Sequence, residues 1–207
     1  MKLINSVGPN PQVVRMFAAE RGIALGSDIE VEDIDIMAGE NRQGPYIAKN
    51  PGGQSPCLQT DAGDFIAEIT AICEYLDEKF PGDSLIGSTP EERANTRMWV
   101  RRVDLYICEN LANGFRYSEG LPLFKDRMRV IPEAADGLKA LTQDKITWLD
   151  GLIEGRDFIA GDRLTLADVL LYCFLAFGTT VGQPLNEDNH NICAWFERMQ
   201  ARDSASA

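Results

Sequence analysis

Several kinds of chemistry are excluded by what these 207 residues lack. A single histidine, His190, cannot furnish clustered imidazoles, so no metal site is expected and a histidine-based triad would have to draw on a residue near the end of the chain. The five cysteines, Cys57, Cys73, Cys108, Cys173 and Cys193, are odd in number, widely spaced and set in apolar runs, with no CxxC among them. They read as reduced, mostly buried thiols rather than a disulfide framework or a zinc site. The longest apolar run, Val169 to Phe177, is too short to span a bilayer, and Met1–Asn5 carries no signal-peptide pattern, so a cytoplasmic protein is expected. Positive charge is also scarce. Twenty Lys and Arg against 32 Asp and Glu leave a net charge of −12, and a field of that sign disfavours nucleic-acid backbones and anionic membranes as partners.

What is present divides the chain in two. Lys2–Val7 is a short apolar run closed by Gly8-Pro9-Asn10-Pro11, which predicts a strand, a turn and a helix with Asn10 as its N-cap and Pro11 at its first position. Ile29, Val31, Ile34 and Ile36 suggest a second strand that bulges or ends early. Ser55–Gln59 and Asp64–Ala67, joined by Asp61-Ala62-Gly63, predict a hairpin, and Ile69, Ile72, Cys73, Leu76 and Phe80 a helix stopped by Pro81. The order is β-α-β-β-α over residues 1–80. Residues 81–90 are dense in chain breakers and read as a linker.

From 91 to 207 the strand signals vanish. Ala94 to Phe115 traces one long amphipathic helix, Ala134 to Leu152 a second, and Thr165-Leu166-Ala167-Asp168 opens a third with a capping box that gives Asp168 a structural role. Residues 191–200 close the set, and 201–207 are expected to fray. The predicted fold class is therefore α/β plus all-α.

A strand opened by Pro56 offers chemistry of its own. A cis Ser55-Pro56 bond would expose the Ser55 N–H and C=O at a sheet edge, where an extended peptide can pair. The helix starts at Asn10–Val13 and Ile69–Ala71 would lie close by, each suited to an anion.

These segments resemble the cytosolic glutathione S-transferases. Asn50–Leu58 (NPGGQSPCL) is similar to that family's NPxGxxPxL segment, Glu68–Leu76 (EITAICEYL) to its ESxAIxxYL segment, and Gly161–Asp168 to its helical-domain capping signature. The resemblance implies a thioredoxin-like domain over 1–80 and a helical bundle over 91–207, a homodimer, glutathione as co-substrate, and a small hydrophobic electrophile in the cleft between the domains. It assigns Arg42 to the glycyl carboxylate, Gln54 and Ser55 to the cis turn, Glu68 to the γ-glutamyl ammonium, and Ile69 with Thr70 to the γ-glutamyl carboxylate. Two departures stand out. Pro11 occupies the place of the usual loop Ser, which resembles an atypical bacterial and fungal subgroup with a PNPxxVR loop, and Ile69 replaces the usual Ser of the second motif. Thiolate stabilisation then falls to Asn10, to the helix start, or to Tyr117 at the end of the first long helix.

Each assignment has a plainer alternative. Asn10 serves equally as a simple cap, Tyr117 as a packing aromatic, Arg42 as an exposed loop cation and Arg116 as a helix C-terminal charge. Tyr106 is a candidate lining residue for the electrophile. Cys57, beside Pro56, reads as a packing thiol, and Arg93, Arg97 and Arg101 as a solvated stripe or a subunit contact. The rival function is a non-catalytic binding or interaction module on the same scaffold.

Overall fold

The computed structural model describes all residues, 1–207, and resolves two compact units: Met1–Ile86 with Asp203–Ala207, and Gly87–Arg202.

The first unit is thioredoxin-like. Strands β1 (Lys2–Asn5), β2 (Glu30–Asp33), β3 (Cys57–Gln59) and β4 (Phe65–Ile66) form one sheet in the order β2-β1-β3-β4. β1 runs parallel to β2 and antiparallel to β3, with Ile4 opposite Cys57. The parallel pair needs a crossover, supplied by α1 (Pro9–Glu20), whereas the short Asp61–Asp64 turn suffices for the antiparallel pair β3-β4. Successive strand residues face opposite sides, and Leu3 and Ile4 are both buried, so both faces of the sheet are covered. Helices α1 and α3 (Ile69–Lys79) pack on each other and bury Val13, Val14, Met16, Phe17, Ile72, Cys73 and Leu76. A smaller cluster on the second face joins Ile4 and Cys57 to Tyr46 of the one-turn helix α2 (Gly44–Ile47), with Ile34 against it.

Three expectations are corrected in this unit. Helix α1 begins at Pro9, and its N-cap is Gly8 at φ 110°, a conformation glycine tolerates; Asn10 therefore lies inside the first turn and does not cap. Ser55 is not at a sheet edge, since β3 lies between β1 and β4. The ladder nevertheless opens only at Cys57, so the Ser55 peptide stays outside it. The last residues do not fray: Asp203–Ser206 forms a 3-10 turn against α1, where Gln12 Nε2 donates to Ala205 O (3.1 Å), Arg15 Nε to Ala207 O (3.1 Å), and Ser204 to Glu20. Local composition suggested fraying; these tertiary hydrogen bonds offset the ordering cost.

The lower end of this unit is fastened by a buried ion pair. Arg21, at the end of α1, lies 2.9 Å from Asp77 Oδ1 and also donates to the carbonyls of Asp77, Phe80 and Asp83. The Asp77 carboxylate accepts in turn from Ser84 Oγ and Leu85 N.

In the second unit, α4 (Pro90–Val103) starts on a capping box between Thr89 and Glu92. The expected long helix is present and unbroken from Pro90 to Arg116, as α4, a π-helical segment at Asp104–Cys108, and α5 (Glu109–Arg116). The widened turn displaces carbonyls from the regular ladder, and Asn110 Nδ2 donates to Tyr106 O at 2.9 Å. A short helix, α6 (Leu121–Phe124), follows, then α7 (Ala135–Leu152), α8 (Leu166–Thr180) and α9 (His190–Gln200). Helix α8 is apolar almost all round and is buried from Leu166 to Leu175, as a central bundle helix should be. Its start is fixed by Asp168, fully buried, whose carboxylate accepts from Ile159 N, Thr165 N, Thr165 Oγ1 and Trp195 Nε1 at 2.8–3.0 Å. No helix is long and apolar enough to cross a membrane.

Candidate active site

The Ser55-Pro56 peptide is cis. Strand β4 leaves β3 after Leu58 pairs with Ile66. On the other side the β1-β3 register continues to Ser6 opposite Ser55, and Ser6 Oγ donates to Ser55 Oγ at 2.7 Å.

The loop leading into the turn is held from below. Asn41 Nδ2 donates to Gly53 O (2.7 Å), and Tyr46 Oη (2.5 Å) and Asn50 Nδ2 (2.7 Å) both donate to Gln54 O. Gly53 sits at φ 60°, and a Cβ there would lie 3.1 Å from Arg42 Nη1 and 3.2 Å from Arg42 Cδ, so glycine is what lets the Arg42 side chain lie across the loop. Arg42 is thereby placed against Gly53.

Glu68 precedes α3 with φ 71° and ψ 119°, the single non-glycine residue at positive φ. Such a backbone costs about 1–3 kcal/mol and persists where surrounding structure enforces it, most often at functional positions. Beyond it, the first N–H groups of α3, at Ile69 and Thr70, have no acceptor in their own helix and carry the positive end of its dipole.

Asn10 occupies the first turn of α1, half-buried. Since Gly8 caps this helix, the amide of Asn10 has no capping duty to compete with another role. The loop before it is braced by Arg15, whose Nη1 donates to Ser6 O (3.1 Å) and Asn5 Oδ1 (3.0 Å). The side chains of Asn10, Arg42, Gln54, Glu68 and Thr70 make no hydrogen bond or ion pair within the chain.

Tyr117 belongs to the second unit, where it is the C-cap residue of α5 with its N–H on Asn113 O. Arg116 is engaged on its own helix by Asn113 Oδ1 (2.9 Å) and lies over the Phe124 ring. Tyr106 packs edge-on against Trp148 with Lys145 over both rings. Cys57 is fully buried, and burial pushes its thiol pKa up, as suits a packing group and not a nucleophile.

Reading the sequence missed the supports: Tyr46, Asn41, Asn50, Ser6 and Arg15. Each acts through a backbone group or a side chain brought up by folding, so no spacing announces it. A lone tyrosine in a Gly/Pro-rich stretch was the one available sign.

This geometry can be set beside known proteins. The N-terminal-domain model of the glutathione S-transferases matches residues 7–79, and their C-terminal-domain model matches 130–203. Glutathione S-transferase 2 of Saccharomyces cerevisiae is 30% identical over 201 residues, spanning 95% of this chain and 84% of that protein. The chain belongs to the glutathione S-transferase family. A solved structure of a glutathione S-transferase domain-containing protein from Marinobacter aquaeolei superposes with a TM-score of 0.92 at 33% identity, covering 99% of both chains. Maleylacetoacetate isomerase of Pseudomonas aeruginosa is 46% identical over 152 residues, 70% of this chain and 68% of that protein. In this glutathione S-transferase the family's N-terminal-domain match covers the cis turn, the first turn of α1 and the start of α3.

Proposed function

We propose that this glutathione S-transferase binds glutathione on its first unit and stabilises the thiolate for attack on a small hydrophobic electrophile or for thiol-dependent reduction. The observation that carries the reading is the cis Ser55-Pro56 turn with the Ser55 peptide outside the β3 ladder, in a unit whose Asn10, Arg42, Gln54, Glu68 and Thr70 side chains have no partner in the chain. Ser55 N–H and C=O suit the cysteinyl backbone, Glu68 the γ-glutamyl ammonium, and the N–H groups of Ile69 and Thr70 with the Thr70 hydroxyl the γ-glutamyl carboxylate. Arg42 and Gln54 take the glycyl end. The whole chain carries −12, so a net-negative tripeptide is held by these local devices against the general field.

With Pro11 where the family has a loop hydroxyl, the donors to sulfur on the first unit are Asn10 and the start of α1, the pattern of the PNPxxVR subgroup. Each pKa unit by which the thiol is lowered requires about 1.4 kcal/mol of preference for the thiolate, within reach of one or two hydrogen bonds and a helix dipole. The enzyme works in the cytoplasm as a homodimer. Conjugation and isomerisation, the activities carried in the names of the yeast and Pseudomonas relatives, both remain within this chemistry.

A glutathione titration tests the reading: saturable binding at millimolar glutathione or below is expected, and its absence refutes the site. Asn10→Ala should then raise the pKa of the bound thiol, followed by thiolate absorbance, more than Tyr117→Phe does. An unchanged thiol pKa in the Asn10 variant removes Asn10 from the mechanism. The loss of hydroxyls at Pro11 and Ile69 favours a second reading, a binding module without turnover, which bound glutathione with an unperturbed thiol would establish.

A further inference from the structure

The segment 203–207 and the first loop of the sheet share one side chain, Arg15. Residues 203–207 (Asp-Ser-Ala-Ser-Ala) hold no large apolar group, and of the 3-10 turn Asp203–Ser206 only Ser204 is buried. The segment is therefore fastened by polar contacts: Gln12 Nε2 donates to Ala205 O (3.1 Å), Arg15 Nε to Ala207 O (3.1 Å), and Ser204 to Glu20. A few such bonds exceed the cost of ordering five residues only narrowly. The segment docks with a small free energy, and a small bias can shift it.

The same guanidinium reaches into the end of β1. Its Nη1 donates to Asn5 Oδ1 (3.0 Å) and Ser6 O (3.1 Å), and Nη2 to Gln12 Oε1 (3.3 Å). Asn5 and Ser6 are both buried; Asn5 Nδ2 donates in turn to Asp33 Oδ1 at the end of β2 (2.7 Å), and the Ser6 and Ser55 hydroxyl oxygens lie 2.7 Å apart. A guanidinium is planar and rigid, so the directions of Nε and Nη1 cannot be set independently. The Ala207 carbonyl on one edge therefore helps to fix where the other edge meets Ser6. From Ser6 the chain runs through Val7 and Gly8 into the first turn of α1, which carries Asn10.

We propose that residues 203–207 are a latch on the glutathione site: docked on Gln12 and Arg15, they hold the guanidinium in the orientation that fixes Ser6 and the loop before Asn10, so that latch docking and glutathione binding favour each other. This rests on the reading of the cis turn and the start of α1 as the glutathione site. Arg15 is the positioning residue of the relay and acts through Ser6. Because the coupling is a free energy it is reciprocal: what the latch adds to glutathione affinity, glutathione adds to latch docking. A tail that only covered α1 would show neither effect.

The test compares the full chain with one lacking residues 203–207, with reduced glutathione as the probe and Kd measured by calorimetry at a temperature where both are folded. Removing the latch should raise Kd about fivefold, the low end of ordinary coupling between sites. In an Arg15→Lys background, which keeps the charge and loses the fork, the same removal should change Kd less than twofold, because the relay is already broken. Saturating glutathione should slow exchange of the Ala207 amide, which donates to Ser204 O (3.1 Å) in the docked turn, by about the same factor as the Kd change. A parent that saturates while the shortened chain binds within twofold of it overturns the proposal and leaves the glutathione site standing. So does a Kd loss that persists undiminished in the Arg15→Lys background, or an Ala207 amide indifferent to glutathione. A parent that fails to saturate at millimolar glutathione overturns the site itself. If Arg15→Lys does not fold, Gln12→Ala decides, since it frees the latch at Ala205 and leaves the Arg15 bonds to Asn5 and Ser6. Ala207 exchange and Kd should then rise together, and faster exchange with an unchanged Kd overturns the proposal.

Discussion

Asp168→Ala should be among the most damaging single substitutions in this chain, although Asp168 touches no ligand. The carboxylate is fully buried and accepts four hydrogen bonds, from Ile159 N, Thr165 N, Thr165 Oγ1 and Trp195 Nε1. Alanine would strand three buried N–H donors at about 1–3 kcal/mol each. Part of that is offset, because a costly buried charge is removed and water can enter the space. The expected net loss is about 3–5 kcal/mol, or roughly 10 °C in Tm for a chain of this size. Asn keeps one acceptor oxygen for Ile159 and Trp195 but turns an NH₂ towards Thr165, so Asp168→Asn should cost about 1–2 kcal/mol. Trp99, Trp148 and Trp195 all lie in the second unit, so tryptophan emission during urea unfolding reports this unit alone. The pH dependence has a definite sign. Burial pushes the Asp168 carboxyl up from its ordinary value, against the four hydrogen bonds. The folded chain then keeps this proton to higher pH than the unfolded chain, and the stability linked to it falls as pH rises through that window. Asp168→Asn removes this slope. A loss below about 1 kcal/mol in Asp168→Ala, or Asn worse than Ala, would refute the argument that satisfied donors dominate here.

Arg21→Ala leaves the Asp77 carboxylate buried without its cation and should destabilise the first unit by about 3–5 kcal/mol, read as amide exchange of α1 and α3. Glu68→Gly relieves the positive φ and should raise stability by about 1 kcal/mol in thermal unfolding while weakening glutathione binding; a stability gain with unchanged affinity would detach Glu68 from the ligand. For Glu119, burial alone would raise the pKa, but hydrogen bonds from Lys139 and Ser118 bring it down to about 2. Its contribution is therefore present above the ordinary glutamate range and lost as pH falls towards 2, and Glu119→Gln should flatten that acid limb by less than about 1 kcal/mol, because the side chain is well exposed.

Much of the architecture could be read from the order of residues because it rests on local chemistry. Alternating and helical periodicities marked the β-α-β-β-α half, and Thr165 to Asp168 spelled out a cap that the structure contains. Where a local rule was ambiguous, packing decided. Pro9 and Pro11 both fit a helix start, and the choice of Gly8 as cap followed from the positive φ at which the chain leaves β1. The π-helical turn at Asp104–Cys108 was not read, because the buried Trp99, Val103, Ile107 and Leu111 recur every four residues, a spacing that an ordinary helix also shows over so short a stretch. The last five residues looked polar and free but are ordered by donors on α1 that are some 190 positions away.

The candidate site divides the same way. Arg42, Gln54, Ser55, Glu68, Ile69 and Thr70 could be proposed from the sequence because they lie in short contiguous segments that resemble family motifs. Their surroundings were not, because strand register, a quantity of paired strands and not of either alone, sets Ser55 against Ser6. Sequence by itself determined which polar groups this protein owns and which segments carry them. Only the tertiary structure decided which are left unengaged, and that Tyr46 and Asn50 meet at the Gln54 carbonyl while Ser6 meets Ser55, because hydrogen bonds between distant segments exist only after the sheet has chosen its register.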